Sequence, residues 1–216
     1  MVRMEIMESR EQWLQRRTSF IGGSDASAIV GMNPYKTNVE LFEEKTGISK
    51  AKDISNEALV KFGTDAEKHL RALFALDYPQ YKVDYVENNI WLNEDFPFAH
   101  ASLDGWLTDE DGKKGVLEIK TASILQSMQK EKWKDRIPDN YYVQVVHYLM
   151  VTGFDFAILK ARLRYDYGSN VVISVKHYRI DRADVLEDIE YLRSQEERFA
   201  TYLKEGKRPP LILPTI

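Results

Sequence analysis

The feature that most constrains the fold of this chain is residues 102–121, SLDGWLTDEDGKKGVLEIKT, whose pattern predicts a β-hairpin. Two short runs rich in apolar residues flank an Asp-Gly dipeptide, which is a strong turn signal. Because side chains alternate along a strand, Glu118 and Lys120 share one face of the second strand, and Asp104 on the first strand can reach the same face. The hairpin therefore predicts two carboxylates and an amine at one place.

Length and composition predict a globular protein with a substantial core. The 216 residues are 44% hydrophobic and 12% aromatic, which excludes a disordered chain. We expect an α/β fold with a central mixed β-sheet flanked by helices. A single domain is expected over 1–216, made of an N-terminal helical portion (1–54), a core (55–163), and a final strand with a C-terminal helix (164–216).

Composition also limits the metal and the cellular setting. The chain has no cysteine, which rules out disulfides, cysteine-ligated zinc and iron–sulfur clusters, so any metal must use oxygen or histidine ligands. No apolar run approaches the roughly 20 residues that span a bilayer, and no secretory signal opens the sequence. We therefore expect a cytoplasmic protein with no membrane partner. The net charge of -4 argues against a uniformly basic surface for nucleic acid.

Periodicity and capping residues place the helices. Apolar residues at helical spacing predict one from residue 55 to about 76, with Glu67 beside a buried stripe formed by Leu59, Phe62, Ala66, Leu70 and Leu73. Ser24-Asp25 and Asn38 are candidate N-caps of two short helices. Other helices are predicted over 9–17, from Asp139 to Met150, and over 182–204 with Val185, Ile189, Leu192 and Phe199 on its apolar side. Strands are predicted within 82–108, 154–163 and 171–180.

The hairpin carboxylates suit a hard cation, since Mg²⁺ prefers oxygen ligands in octahedral geometry. Asp104 and Glu118, with Glu67 as a third carboxylate, could supply that set, and Lys120 could orient and help deprotonate a water molecule. A surface ladder of cross-strand ion pairs explains the same spacing equally well. Spacing alone leaves both interpretations open.

Several stretches together resemble a known family. Asp104, followed after thirteen residues by Glu118-Ile119-Lys120, resembles the core of the PD-(D/E)XK nucleases, with Leu103 where many members have proline. A more specific resemblance, to the lambda-exonuclease-type viral recombinase nucleases, covers roughly residues 10–160. It rests on five stretches in order: Trp13 with Arg17, IGGSDASAIVG with NPY, GTDAE, SLDG followed by LEIK, and the helix around Gln144.

This resemblance implies a restriction-endonuclease-like core and a role for each matching residue. The implied metal ligands are Glu67, Asp104, Glu118 and the Ile119 carbonyl, holding two Mg²⁺ ions for which Mn²⁺ can substitute, and Lys120 is the implied catalytic lysine. Arg17 and Ser24 are the implied anchor of a 5′ phosphate, completed by Ser102 and Gln144. An arginine fork, a hydroxyl and free N–H groups suit an anion, although residues 22–25 could equally serve only to cap a helix.

The implied activity is that of a Mg²⁺-dependent 5′-to-3′ exonuclease. Such an enzyme degrades one strand of linear double-stranded DNA to mononucleotides and leaves a 3′ overhang for phage-type homologous recombination. By resemblance it forms a ring-shaped homotrimer around DNA and works with a single-strand annealing protein in a bacterial host cell. Alternatives are an endonuclease of the same superfamily, of repair or restriction type, and a catalytically inactive scaffold that binds DNA ends. His147, one turn after Gln144, is expected to be structural.

Overall fold

The computed structural model describes residues 1–51, 53–54, 56–168 and 170–214. Helices and strands alternate irregularly along the chain. In order they are β1 (Val2–Ile6), α1 (Arg10–Thr18), α2 (Gly23–Ile29), α3 (Asn38–Lys45), α4 (Ala58–Asp77), β2 (Lys82–Asp84), β3 (Asn89–Asn93), β4 (Gly105–Thr108), β5 (Lys114–Ile124), α5 (Ser127–Lys132), α6 (Asp139–Thr152), β6 (Phe156–Tyr167), β7 (Asn170–Asp181) and α7 (Leu186–Glu205).

A mixed five-stranded sheet forms the centre of the molecule, in the order β2-β4-β5-β6-β7. The predicted hairpin is present as the antiparallel pair β4–β5, with Gly105 opposite Leu117. Strand β5 pairs with β6 in parallel, and α6 lies in the crossover between them. The sheet and its flanking helices confirm the predicted α/β class.

A second, two-stranded sheet was not evident from the sequence. The N-terminal strand β1 pairs antiparallel with β3, placing Met4 opposite Trp91. The segment VRMEI alternates apolar and charged residues over five positions, which is a usable strand signal, but the pattern does not indicate that its partner is β3. Helix α1 lies next to this small sheet, because the Trp13 indole N–H donates to the Asn89 carbonyl at 3.1 Å.

Of the predicted stripe on helix α4, only Leu70 is buried, and Phe74, which was not predicted, is buried beside it. Leu70 and Phe74 are enclosed, whereas Leu59 and Phe62 are 66% and 45% exposed, and Leu73 is 44% exposed. Leu70 and Phe74 pack on Leu107, Leu117, Ile119, Phe156 and Ile158 of the sheet. The prediction was therefore wrong for the first two turns and for Leu73, since periodicity reports an apolar face but not how far the supporting sheet extends.

Two predicted N-caps were also wrong by one or two positions. Gly22 caps α2, and Asp25 in the first turn accepts a hydrogen bond from the Gly22 N–H at 3.0 Å. Thr37 caps α3 through a reciprocal pair with Glu40. The Asn38 side chain is buried instead and binds the C-terminal tail at the Pro210 carbonyl and the Ile212 N–H.

The largest part of the core lies between the sheet and helices α6 and α7. Helix α6 is buried continuously from Val143 to Thr152. The predicted apolar side of the C-terminal helix is confirmed, since all four of its residues are buried: Val185, Ile189, Leu192 and Phe199. Within the described ranges, none of the helices is long and apolar enough to cross a bilayer.

Candidate active site

The β4–β5 register brings two carboxylates together. Asp104 immediately precedes β4, and because Gly105 lies opposite Leu117, Asp104 falls opposite Glu118. Oδ2 of Asp104 accepts a hydrogen bond from the Ile119 backbone N–H at 2.8 Å. This bond ties the Asp104 side chain to the strand that carries Glu118 and Lys120.

Glu118 is the buried centre of the cluster, with 2% of its surface exposed. Its Oε1 lies 2.6 Å from the Lys120 ammonium and accepts from the Gln144 side-chain amide at 2.8 Å. Its Oε2 is buried and has no hydrogen-bond partner among the described residues. Lys120 also lies 5.1 Å from the centre of the Tyr141 ring. One oxygen of Glu118 is thus held by the protein, and the other is left free for a ligand.

Helix α4 adds the third carboxylate. Gly63 packs against Thr121 of β5, which sets α4 across the strand beside the cluster. Glu67, one turn later, lies close enough that the charges of Asp104 and Lys120 both act on it. Arg71 donates to the Asp104 carbonyl and stacks on the Tyr85 ring at 3.5 Å, so it fixes the backbone at Asp104.

Burial raises the pKa values of all three carboxyl groups. Burial and the charge of Asp104 raise the pKa of Glu118 to about 8 and that of Glu67 to about 7. Burial also raises the pKa of Asp104. Burial alone would lower the pKa of Lys120, but Glu118 and Asp104 outweigh it and raise that pKa. Ionisation of the carboxyl groups is therefore disfavoured where they lie, and a bound cation would offset that cost.

The donor set fits a hard divalent cation. All candidate ligands are oxygens, and the unpartnered Oε2 of Glu118 is available for coordination. Within the part of the chain that the structure describes, no three Asp, Glu, His or Cys side chains converge tightly enough to hold a metal by themselves. The carboxylates would thus supply part of a coordination sphere, and the Ile119 carbonyl, waters and substrate oxygens would complete it.

The residues of the implied phosphate anchor border His100. The Arg17 guanidinium lies over the Trp13 ring at 4.1 Å, and Ser24 is exposed in the first turn of α2. Burial and the charge of Arg17 lower the pKa of His100 to about 3. The Gly22 backbone touches the same ring, where an added Cβ would come within 2.7 Å of the ring carbon Cε1. Arg17 and the start of α2 are thus neighbours of one buried histidine.

Ser102 and Gln144 lie closer to the carboxylates. The hydroxyl of Ser102, two residues before Asp104, is buried without a hydrogen-bond partner in the described chain. Gln144 is mostly buried on α6, and its amide nitrogen is bound to Glu118 and, at 2.8 Å, to the Tyr148 hydroxyl. The structure therefore places Gln144 against a candidate metal ligand.

Besides Arg71, sequence reasoning missed Tyr148 and Asn89, which also support the site. Tyr148 receives the Gln144 bond, and its ring contacts Gly23, where a Cβ would lie 2.5 Å from Tyr148 Cε1. Its position four residues after Gln144 was a usable signal, since such residues share a helix face. Asn89 binds both the N–H and the C=O of Leu103 at 2.9 Å. No local pattern signals this contact.

The family comparison covers most of the site-bearing region. Residues 12–155 match the model of the YqaJ-like viral recombinase domain. The protein YqaJ of Bacillus subtilis (strain 168), itself described as uncharacterized, is 36% identical over 149 residues. That match covers 68% of this chain and 44% of YqaJ, so the chain spans less than half the length of this curated relative.

Solved structures show the fold. The alkaline exonuclease LHK-Exo from Laribacter hongkongensis is 19% identical with a TM-score of 0.67, and LHK-Exo in complex with dAMP is 21% identical with a TM-score of 0.69. Both matches cover 91% of this chain and 93% of the other. A phage-related exonuclease from Haemophilus somnus 129PT matches at a TM-score of 0.54 and 12% identity, over 87% of this chain and 96% of the other. These likenesses confirm the restriction-endonuclease-like fold.

Proposed function

Because the chain belongs to the YqaJ-like viral recombinase domain family, we propose that it is a Mg²⁺-dependent 5′-to-3′ exonuclease acting on the ends of linear double-stranded DNA. It would degrade one strand to mononucleotides and leave a 3′ overhang for homologous recombination of the phage type. The names of the matched structures, an alkaline exonuclease and a phage-related exonuclease, support nuclease chemistry on this fold.

One observation carries the proposal: Glu118 holds Lys120 by one oxygen and keeps the other oxygen buried and unpartnered within the described residues, beside Asp104. An ion-pair ladder on a strand surface would be exposed to solvent, and its carboxylates would both be paired. A buried oxygen without a partner costs roughly 1–3 kcal/mol, which a bound cation would offset. The arrangement therefore favours a metal site over the ladder that spacing alone allowed.

Each residue of the cluster has a distinct role in this proposal. Glu67, Asp104, Glu118 and the Ile119 carbonyl would hold two Mg²⁺ ions, with Mn²⁺ as a substitute. When bound, the metal would supply the positive charge that phosphodiester hydrolysis requires at the scissile phosphate. Lys120, held at 2.6 Å by Glu118, would orient the attacking water and donate a hydrogen bond to it. Gln144 would hold Glu118 in the rotamer in which one oxygen binds Lys120 and the other can bind the metal.

The phosphate anchor would determine which bond is cut. The Arg17 guanidinium and the hydroxyls of Ser24 and Ser102 would bind the terminal 5′ phosphate, and the unpartnered Ser102 hydroxyl supports this assignment. Ser102 is two residues from Asp104, so a phosphate held there keeps a fixed distance from the metal ligands. Because the distance between the 5′ end of the DNA strand and the metal would be fixed, each cut would release one nucleotide.

We also propose a homotrimeric ring that encloses DNA and cooperates with a single-strand annealing protein. A net charge of -4 is compatible with DNA binding if basic residues face a central channel. The exposed apolar side chains of Leu59 and Phe62, at the free end of α4, support contact between copies. Analytical ultracentrifugation without DNA would test the ring, and a monomeric mass would count against it.

A single set of digestions tests the activity. Linear duplexes with and without a 5′ phosphate are incubated with Mg²⁺ or with EDTA, and closed circular DNA is included as a substrate. Mononucleotides from 5′-phosphorylated ends, only with Mg²⁺ and never from circles, are the expected result. Cutting of circles would instead identify an endonuclease.

Two substitutions test whether Lys120 and Glu118 belong to the catalytic site. Lys120→Ala and Glu118→Ala should each lower kcat by at least about 100-fold, since both remove charge from the reacting centre. Lys204→Ala, an exposed lysine at the end of α7, should leave kcat unchanged. If the first two variants kept wild-type degradation, the site would be wrongly assigned.

A further inference from the structure

A buried ionisable pair joins the C-terminal helix to α6. Glu196 of α7 and His147 of α6 are both fully enclosed, and Glu196 Oε1 lies 2.7 Å from His147 Nδ1. Burying such groups is unfavourable unless they are bonded to each other. A pair of this kind therefore points to a role beyond packing. The described hydrogen bonds of Glu196 and His147 do not involve the carboxylate cluster.

The other nitrogen of the His147 ring contacts the backbone of His100. His147 Nε2 lies 2.8 Å from the carbonyl oxygen of His100. Because a carbonyl only accepts, Nε2 must carry the hydrogen and donate it. Glu196 on the opposite nitrogen therefore fixes the orientation in which the ring can reach His100.

His100 in turn holds the segment that leads into the anchor. Its N–H donates to the Ile21 carbonyl at 2.9 Å, and the Ile21 N–H donates to Phe98 at 2.8 Å. Its ring packs against Gly22, the residue at which α2 begins. Residues 20–22 connect Arg17 on α1 to Ser24 on α2, so the position of His100 governs how the two anchor residues are spaced.

The segment that carries Asp104 is held by other contacts, and Glu118 is held by the side chain of Gln144, which has its own bonds and does not contact the His147 ring among the described hydrogen bonds. The clamp from Asn89 fixes Leu103, and the Ile119 N–H fixes the Asp104 carboxylate. Neither contact involves His100, so both would persist if the His100 side chain moved. A disturbance at His147 should therefore reach the anchor more strongly than the carboxylates.

From this chain of contacts we infer that Glu196 and His147 are positioning residues for the 5′-phosphate anchor, acting through His100. The C-terminal helix would thus set the enzyme's preference for phosphorylated ends as well as packing on the core. The inference rests on the proposed function of Arg17 and Ser24.

The test measures kcat and KM on duplexes with a 5′ phosphate and with a 5′ hydroxyl, for the full chain with Mg²⁺. Glu196→Leu and His147→Leu keep side-chain volume but remove the contact. Each variant should lower the ratio of kcat/KM on the 5′-phosphate end to kcat/KM on the 5′-hydroxyl end, here called the preference, by about 10- to 100-fold. That is the loss expected when the anchor residues are misplaced by about 1 Å. The rate on the 5′-hydroxyl end should stay within about twofold, a split that general loosening of the core would not produce.

Two further variants separate positioning from stability. Glu196→Gln can donate to His147 Nδ1 and should keep the preference. Leu192→Ala, one turn earlier on α7 and equally buried, should lower Tm and also keep the preference. If Glu196→Leu is not recovered folded, Glu196→Asp, which withdraws the carboxylate by one methylene, should still lower the preference by about threefold or more.

Opposite results would overturn the inference in distinguishable ways. Unchanged preference in Glu196→Leu or Glu196→Asp, with a strong wild-type preference, refutes the positioning role and leaves the anchor intact. An equal loss in Leu192→Ala also refutes it, because the effect would then follow stability alone. Equal wild-type rates on the 5′-phosphate and 5′-hydroxyl ends would refute the proposed anchor, and the inference would then be refuted as well.

Discussion

Gln144 donates its side-chain amide to Oε1 of Glu118 across 2.8 Å, in the buried space between α6 and β5. The same oxygen is 2.6 Å from the Lys120 ammonium, so two donors hold it in place. The other oxygen of Glu118 is consequently turned away from both donors. The helix thus controls which carboxylate oxygen is available to a cation.

Replacing Gln144 with leucine should lower kcat by about 10- to 100-fold, the usual effect of removing a group that orients a metal ligand. The Mg²⁺ concentration for half-maximal activity should rise, while KM for DNA stays nearly constant. Tyr148→Phe is the matched control, since it removes only the hydroxyl bonded to Gln144 and should have a smaller effect. A raised KM confined to 5′-phosphorylated ends would show that Gln144 serves the phosphate instead.

Asn89→Ala should destabilise the protein by about 1–3 kcal/mol, because the Leu103 N–H and C=O lose their buried partner. Activity should fall as well, since Leu103 precedes Asp104. Asn93→Ala provides the control: Asn93 is also buried on β3, and its side chain binds only the Asp95 N–H among the bonds seen for it. Urea denaturation should show a smaller stability loss for Asn93→Ala, and kcat should fall for Asn89→Ala alone.

Gly23→Ala should push α2 away from α6. The new Cβ would lie 2.5 Å from Tyr148 Cε1 and 2.9 Å from Gln144 Cγ, and overpacking of this kind costs about 1–3 kcal/mol. Gly63→Ala is the comparison, because it meets only the Thr121 hydroxyl at 3.2 Å and gains helix propensity, so it should stay within about 1 kcal/mol of wild type. Equal Tm values for Gly23→Ala and wild type would contradict the close packing.

The Glu196–His147 pair should make stability fall in alkaline solution. Burial opposes a charged imidazole, but the Glu196 carboxylate outweighs it and raises the pKa of His147 above its usual 6.5, while burial raises the pKa of Glu196. The folded pair therefore keeps a proton that the unfolded chain loses above pH 6.5. The free energy of unfolding should decrease from there up to the folded pKa, by at most about 1.4 kcal/mol per pH unit.

Glu196→Gln should abolish this slope, because a neutral partner no longer raises the pKa of His147. Asp25 and His100 also face the pair, and both remain in the variant as a constant background. Urea denaturation from pH 6 to pH 9 measures the difference between the two proteins. The same alkaline slope in both would assign the linkage to another group.

Much of the framework was predictable because it depends on neighbours in the sequence. Strand alternation and the Asp-Gly turn predicted the hairpin, and Gly153 and Gly206 end α6 and α7 with positive φ angles, as glycine commonly does at a helix C-terminus. The cap of α3 was misplaced because Thr37 and Asn38 are adjacent and both suit the role, and the cap of α2 was misplaced because Gly22 takes that position without a side-chain hydrogen bond. The burial of α4 depended on the extent of the sheet, which no local pattern encodes.

By itself the sequence determined the hairpin and the order of the motifs, since both follow from residue types at short spacing. The tertiary structure alone decided how the hairpin carboxylate is held: Gln144 reaches Glu118 from 26 residues away, and Glu196 reaches His147 from 49. Such contacts depend on how helices pack across the sheet, and packing is a property of the whole core. The β4–β5 hairpin explains why two carboxylates meet, and helix α6 determines, through Gln144, which oxygen of Glu118 is held by the protein.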